Sequence, residues 1–509
     1  MNRKNTVLVL SLILSGLFLL WGAILPDNLS TTASVVLSIF INNFGWLYLL
    51  SVAVFLIFCI VLAVSPFGKI KLGKDDEKPE HSTFSWFAML FTTGMGIGLV
   101  FWSIAEPMYH YTSPPYGVAS SPESATLAMR YVFFHWGLHP WAVFALVGLA
   151  LGYFQFRKGL PFLVSSIFYP ILGDRIYGPI GKTVDILAVF ATLFGLATSL
   201  GLGTMQINSG LNYLFGTPNT PIMNLFIVIV ITVVFTIASI TGIEKGIKFI
   251  ANWTVYFAVA LMLFLFVTGP TRFILNIFTD TIGSYLQNIV HMSLWTEPIK
   301  QSGWLGSWTI FYWAWWIAWG PFVGQFIARI SRGRTIREFI LGSIFIPSLF
   351  SFIWLSIFGG TALKLEIFDG AGIANAVSSD IASALFITLQ KLPLAQITAP
   401  IALILIAGFF ITSADSGTFV VAMLTSNGSQ EPKKSLSALW GTILGGIAAV
   451  LLVTGGLQAL QTASIASAFP FMLVMLVMIY SMIKGLQSDS YLKKQSTNEK
   501  QEVYKTISS

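Results

Sequence analysis

Long apolar stretches without an interior charge govern what this chain can fold into. A helix crossing a bilayer needs ~20 such residues, and twelve stretches meet the requirement, near 7–25, 43–66, 84–106, 128–155, 183–205, 221–241, 249–270, 304–330, 337–362, 399–425, 435–457 and 462–484. Only 10% of the 509 residues are charged, against ~25% in soluble proteins, and 55% are hydrophobic. A soluble or disordered chain is thereby excluded. The first stretch follows Arg3 and Lys4 but lacks a small-x-small cleavage site, so it reads as a retained helix. The single cysteine, Cys59, excludes a disulfide framework. The five histidines, with only His135 and His139 read as an i, i+4 pair, leave little for a metal enzyme.

Lysine and arginine accumulate in cytoplasmic loops. With the N-terminus inside, 23 of the 28 basic residues fall in inner segments, and only Arg130, Arg272, Lys300, Lys364 and Lys391 remain outside. This predicts an even number of crossings with both termini cytoplasmic, and it accounts for the net charge of +7 without a nucleic-acid partner. Residues 271–292 carry Phe273, Ile274, Ile277, Phe278, Ile282, Tyr285 and Ile289 at helical spacing, which predicts an outer amphipathic helix; Ile381 to Leu392 is a second candidate. Residues 485–509 read as a polar tail.

Backbone in hydrocarbon must satisfy its own hydrogen bonds, so a mid-membrane break is tolerated only where it faces protein or a polar cavity. Breaks are expected at Gly94-Met95-Gly96-Ile97-Gly98 in the third stretch and at Gly320-Pro321 in the eighth. Such glycines also serve close helix packing. Two interrupted helices five stretches apart fit two inverted five-helix repeats around a central site. The expected organisation is therefore 1–83 with two extra helices, 84–270 as the first repeat, 271–303 as outer helix and linker, 304–484 as the second repeat, and 485–509 as the tail.

The tenth stretch contains Thr412-Ser413-Ala414-Asp415-Ser416. Thr412 and Ser413 either bond back to their own helix or complete a shell of oxygens for sodium beside the glycine break. Asp415 reads as the only carboxylate inside a stretch, a functional candidate by default or else a structural acceptor toward the inner loop.

In the eighth stretch Trp308, Tyr312, Trp315, Trp319, Phe322 and Phe326 follow one another at steps of 4, 3, 4, 3 and 4, on one helical face. Interfacial anchoring explains tryptophan at the ends of a span, whereas Trp315, Trp316 and Trp319 sit at mid-depth, as do Trp136, Trp141 and Phe144 of the fourth. Core packing is one reading. The other is a cage for a quaternary ammonium, whose charge is attracted to ring faces. With no carboxylate read in the cage, a neutral betaine fits better than choline, and amides near Gly94 to Gly98 can receive its carboxylate.

These motifs, with His135-Trp136-Gly137-Leu138-His139-Pro140-Trp141, Phe311-Tyr312-Trp313-Ala314-Trp315-Trp316 and the run Arg329 to Glu338, resemble the betaine/carnitine/choline transporter family over roughly residues 7–484. The resemblance implies an all-α membrane protein of twelve helices with a LeuT-like core of two inverted five-helix repeats, a homotrimer among membrane lipid, and alternating access in a bacterial plasma membrane. It implies sodium-coupled uptake of glycine betaine or a related trimethylammonium solute, with sodium as coupling ion and no other cofactor. Sodium-independent choline or carnitine uniport or exchange is the alternative, with proline and ectoine as further candidate solutes and a channel or membrane enzyme ranking below. Carried over by position, substrate contacts fall on Trp136, Trp141, Phe144, Trp315, Trp316, Trp319, Met95, Gly96 and Gly98, the gate on Phe322 and Phe326, and one sodium site on Thr92, Met95, Phe409, Thr412 and Ser413. Choline-transporting relatives tend to carry aspartate in place of Gly98. Phe144 stands where relatives often have tyrosine and Leu196 where some have threonine, which removes oxygens from a second sodium site around Thr192.

Overall fold

The computed structural model describes residues 6–94, 96–241 and 244–489. In chain order the helices are α1 (Thr6–Ile24), α2 (Pro26–Val64), α3 (Thr83–Gly94), α4 (Ile97–Thr112), α5 (Pro122–Trp136), α6 (Leu138–Gly152), α7 (Tyr169–Leu172), α8 (Pro179–Phe215), α9 (Pro221–Thr241), α10 (Glu244–Thr268), α11 (Thr271–Leu294), α12 (Phe311–Arg329), α13 (Ile336–Asp369), α14 (Ile373–Ser379), α15 (Ala384–Gln390), α16 (Ala395–Thr425) and α17 (Lys434–Gln487). Among the described residues there is no strand, only an isolated antiparallel bridge between Lys71 and Thr335.

Eight helices, counting Pro122–Arg157 as one, are long and apolar enough to cross a bilayer, and α3 with α4 forms a ninth candidate bent by 62°. The bend falls at the glycine-rich segment, as the sequence predicts. The fifty-four-residue α17 holds a second bend: Gly456 sits at φ 55° and ψ −130°, which only glycine adopts without strain. The helix expected over 271–292 forms as α11, and the segment Ile381 to Leu392 is a 3-10 turn followed by α15.

One expectation is corrected. Gly320-Pro321 does not break its helix, because α12 runs continuously through Pro321. Proline removes one donor, and the packing that buries Gly320, Pro321 and Val323 absorbs that loss; the irregularity lies instead in a π-helical turn, Gly306–Ile310, just before α12. The fourth stretch, expected as one span over 128–155, is the single candidate span Pro122–Arg157, with a local irregularity at Gly137 (φ −97°, ψ −132°) where α5 gives way to α6. Of the tail, α17 continues to Gln487, and residues 490–509 lie outside the described residues.

Segments assigned to one membrane face on charge alone do meet one another. Leu72 donates its amide to Arg334 O and accepts from the Gly333 amide, both in the loop before α13, and the Arg157 Nη1 donates to Gly73 O at 3.0 Å. The Arg157 guanidinium also grips Asp489 at 2.6 Å and Asp75 at 2.8 Å, while Lys158 reaches Asp489 at 3.0 Å. At the other end Lys300 donates to Pro115 O and Arg130 to Ser284 Oγ. On the basic face, partial burial works against ionisation of Glu77, yet the Lys74 amide and the Arg332 guanidinium together hold its carboxyl below the usual range.

The Arg157–Asp489 pair is almost wholly buried, so removing one partner leaves an uncompensated charge. Asp489→Asn is expected to destabilise the folded protein by about 3 kcal/mol, read as a lowered midpoint in thermal unfolding of the detergent-solubilised protein. An unchanged midpoint would show that Asp75 alone satisfies the guanidinium.

Candidate substrate and ion sites

Three helices bring the central aromatic residues together. Trp136 ends α5, Trp141 and Phe144 lie on α6, and Trp315, Trp316 and Trp319 follow each other down α12. Their rings pack around one small cavity, whose lining also includes Gly96 and Gly98 at the start of α4. Trp315 and Trp316 are stacked with centroids 4.9 Å apart, and Trp136 meets Trp316 edge-on at 4.9 Å. Phe144 stands perpendicular to both Trp316 (5.9 Å) and Trp141 (5.4 Å).

Four of the indole N–H groups, those of Trp136, Trp315, Trp316 and Trp319, are tied to the framework and so do not compete for the cavity. Trp315 and Trp319 both donate to Gly195 O, at 3.3 and 2.9 Å, and Trp316 donates to His135 O at 2.9 Å. Trp136 donates to Glu106 Oε2 at 2.8 Å. What remains toward the centre is aromatic surface with few donors, a lining suited to a cation whose methyl groups cannot hydrogen-bond.

Further along α12, Phe322 and Phe326 line a separate vestibule of about 740 Å³ with Gln325, Arg329, Asp415, Lys248 and Lys434. It opens at the end of α12 that leads into the Arg332–Glu77 contact, so it shares its face with the basic loops. Both proposed gate residues thus border an open aqueous space on one side of the cage.

The chain matches the description "betaine/carnitine/choline family transporter" over residues 6–491. It belongs to that family. Among similar proteins are a probable glycine betaine transporter of Desulfitobacterium hafniense, 56% identical over 96% of this chain and 98% of that protein, and the glycine betaine transporter OpuD of Bacillus subtilis, 53% identical over 92% of each. An ectoine/hydroxyectoine transporter of Virgibacillus pantothenticus is 45% identical over 96% of this chain and 98% of its own length. The chain is therefore a membrane transporter and not an enzyme.

In this betaine/carnitine/choline family chain, the residues put forward for sodium are less fully assembled than the cage. Thr92 is exposed and its hydroxyl donates to Met89 O at 2.9 Å. Thr412 donates to Gly408 O at 2.9 Å, Phe409 is buried beside it, and Ser413 is half-buried. Met95 lies outside the described residues. At the second site Thr192 bonds back to Ala188 O at 2.8 Å, and Leu196 packs against Gly417 of α16. Of the two readings open for Thr412, the geometry displays the back-bonded one.

Asp415 is not the only carboxylate inside a helix of the core. It lines the vestibule, its backbone carbonyl accepts from the Thr418 hydroxyl, and among the described residues its carboxyl has no hydrogen-bond partner. Asp185 of α8 is buried and accepts from the amide and hydroxyl of Ser165, at 2.9 and 2.8 Å. Glu106 of α4 is fully buried behind Trp136 and outside the cavity lining, which contains no carboxylate among the described residues. A window closed at the first charge ends at 106 and hides that α4 continues to Thr112. His135 converges with Glu106 and His110, while His139 instead bonds Ser293 Oγ at 2.8 Å. The signal available in the sequence was the i, i+4 pair Glu106 and His110, with His135 directly preceding Trp136.

Proposed function

We propose that the protein takes up glycine betaine, or a closely related trimethylammonium solute, together with sodium by alternating access. The carrying observation is the cage, in which Trp136, Trp315 and Trp316 meet at 4.9–6.3 Å with their N–H groups bound elsewhere. Each desolvated ring facing the cation contributes about 0.5–2 kcal/mol. The bend between α3 and α4 supports a role for Gly96 and Gly98 in receiving the carboxylate through free amides.

Twelve crossings are supported as follows. To the eight apolar helices and the bent α3–α4 pair are added the shorter α9, the tryptophan-rich α12, and the second half of α17 beyond Gly456. In this arrangement α3–α10 and α12–α17 form the two inverted repeats, α1 and α2 precede them, and α11 lies between. The abundance of Lys and Arg around the vestibule supports a cytoplasmic position for it, and with it an inward-open conformation and cytoplasmic termini. Sodium would be held by Thr92, Met95, Phe409, Thr412 and Ser413, with Thr192 as a second, oxygen-poor position. A homotrimer in a bacterial plasma membrane completes the reading.

The test is uptake of radiolabelled glycine betaine into proteoliposomes. Accumulation is expected only under an inward sodium gradient, with unlabelled ectoine added as competitor to rank the solutes. Equal uptake with potassium on both sides would overturn sodium coupling in favour of facilitated flow or exchange, and absence of betaine uptake in both conditions would overturn the substrate assignment.

A further inference from the structure

Behind the cage, on the side away from the vestibule, a fully buried polar cluster centres on Glu106. Its Oε2 accepts from the Trp136 indole at 2.8 Å and from the Tyr312 hydroxyl at 2.5 Å. Its Oε1 lies 2.6 Å from His135 Nδ1 and 3.2 Å from His110 Nε2, and His135 Nε2 is 2.9 Å from Thr309 Oγ1. Among the described residues no lysine or arginine reaches the carboxyl. The indole and the phenol donate to Oε2, and with the Thr309 hydroxyl donating to His135 Nε2, the Nδ1–H of that ring donates to Oε1, so that Glu106 takes the acceptor role of the carboxylate at both oxygens. A buried anion is costly even when hydrogen-bonded, and here its partners are the indole, the phenol and two imidazoles.

The neighbouring rings make the contrast. Trp315, Trp316 and Trp319 are oriented by neutral backbone carbonyls, from Gly195 and His135. Orientation of an indole therefore does not require a charge in this fold, yet Trp136 is held by one. An anion drawing on the N–H enriches the electron density of the ring, and the attraction of a ring face for a cation rises with that density. The arrangement also keeps the carboxylate out of the cavity lining, where it would repel the carboxylate of a betaine.

We propose that Glu106 is a specificity-determining residue that acts through Trp136, its negative charge strengthening the hold of that ring on the substrate's quaternary ammonium group. The proposal rests on the reading of the cage as the substrate site. It makes Glu106 a positioning and polarising residue with no contact to the substrate itself.

The test compares two ligands that differ in one charge. Glu106→Gln keeps the volume and one acceptor oxygen but removes the anion. For the purified protein in detergent, binding of radiolabelled glycine betaine is expected to weaken about tenfold. Competition by 3,3-dimethylbutyrate, which carries an uncharged tert-butyl group in place of the trimethylammonium, is expected not to weaken. Unchanged betaine binding, or equal losses for both ligands, would overturn the proposal. If Glu106→Gln fails to fold, Trp136→Phe keeps a ring and the carboxylate while deleting the donor, and the same selective loss for betaine is expected. Trp316→Ala separates the two levels of the argument. If it abolishes betaine binding while the other two variants do nothing, only the role of Glu106 falls; if it too binds betaine normally, the cage is not the substrate site.

Discussion

Replacing Trp316 with alanine is expected to weaken glycine betaine binding about 100-fold and to reduce uptake to background. Trp316 is the ring that the others share: it stacks on Trp315, meets Trp136 edge-on, and stands against Phe144. Its loss removes about 2 kcal/mol of cation–π attraction in a desolvated site. A further ~1 kcal/mol disappears with the aromatic pair that holds Trp136 in place. Together these correspond to about two decades in Kd. Part of the cavity cost of a Trp→Ala change, about 3–5 kcal/mol, falls on stability instead, so binding must be measured on protein shown to be monodisperse after detergent extraction. Trp316→Phe preserves a ring face and is expected to recover most of the affinity. A wild-type Kd for the alanine variant would remove the cage from the mechanism.

The legible parts of this protein are those written in one dimension. Charge-free runs of sufficient length mark membrane helices because the bilayer tolerates little else, and Trp315, Trp316 and Trp319 stood out because they are too deep for interfacial anchors. The α3–α4 bend was legible because three glycines in five residues leave the backbone free to turn. Less legible were features decided by packing. Pro321 looks like a breaker in sequence, yet α12 absorbs it, whereas the single Gly137, one glycine among 44, divides α5 from α6. Glu106 was hidden by its own charge, which closed the apolar window at the point where the helix enters its most buried contacts. Its partners His135 and Tyr312 are 29 and 206 residues away, and no spacing rule links them.

The packing that sets the cage in place can be broken without touching it. Gly324→Val is expected to destabilise the protein by about 3 kcal/mol and to raise the KM for betaine. A Cβ on Gly324 would lie 2.8 Å from Val147 Cγ1 and 3.0 Å from the Gly148 backbone nitrogen, and one on Gly148 would lie 2.9 Å from Gly324 O. Here α6 and α12 touch through their backbones. With no difference in polarity between lipid and an apolar side chain to drive helices together, such close approach is a main source of association in a membrane. Trp141 and Phe144 precede this contact on α6, and Trp316 and Trp319 precede it on α12, so separating the helices draws the two walls of the cage apart. Val147→Ala added to Gly324→Ala is expected to restore only part of the stability, because trimming Val147 leaves the backbone nitrogen of Gly148 in the way. Gly283→Ala, whose Cβ meets nothing within 4 Å on α11, serves as the control. Full restoration by the double variant would mean that side-chain crowding, and not contact between backbones, fixes the distance between the helices. That outcome would remove the reason for requiring glycine at 324.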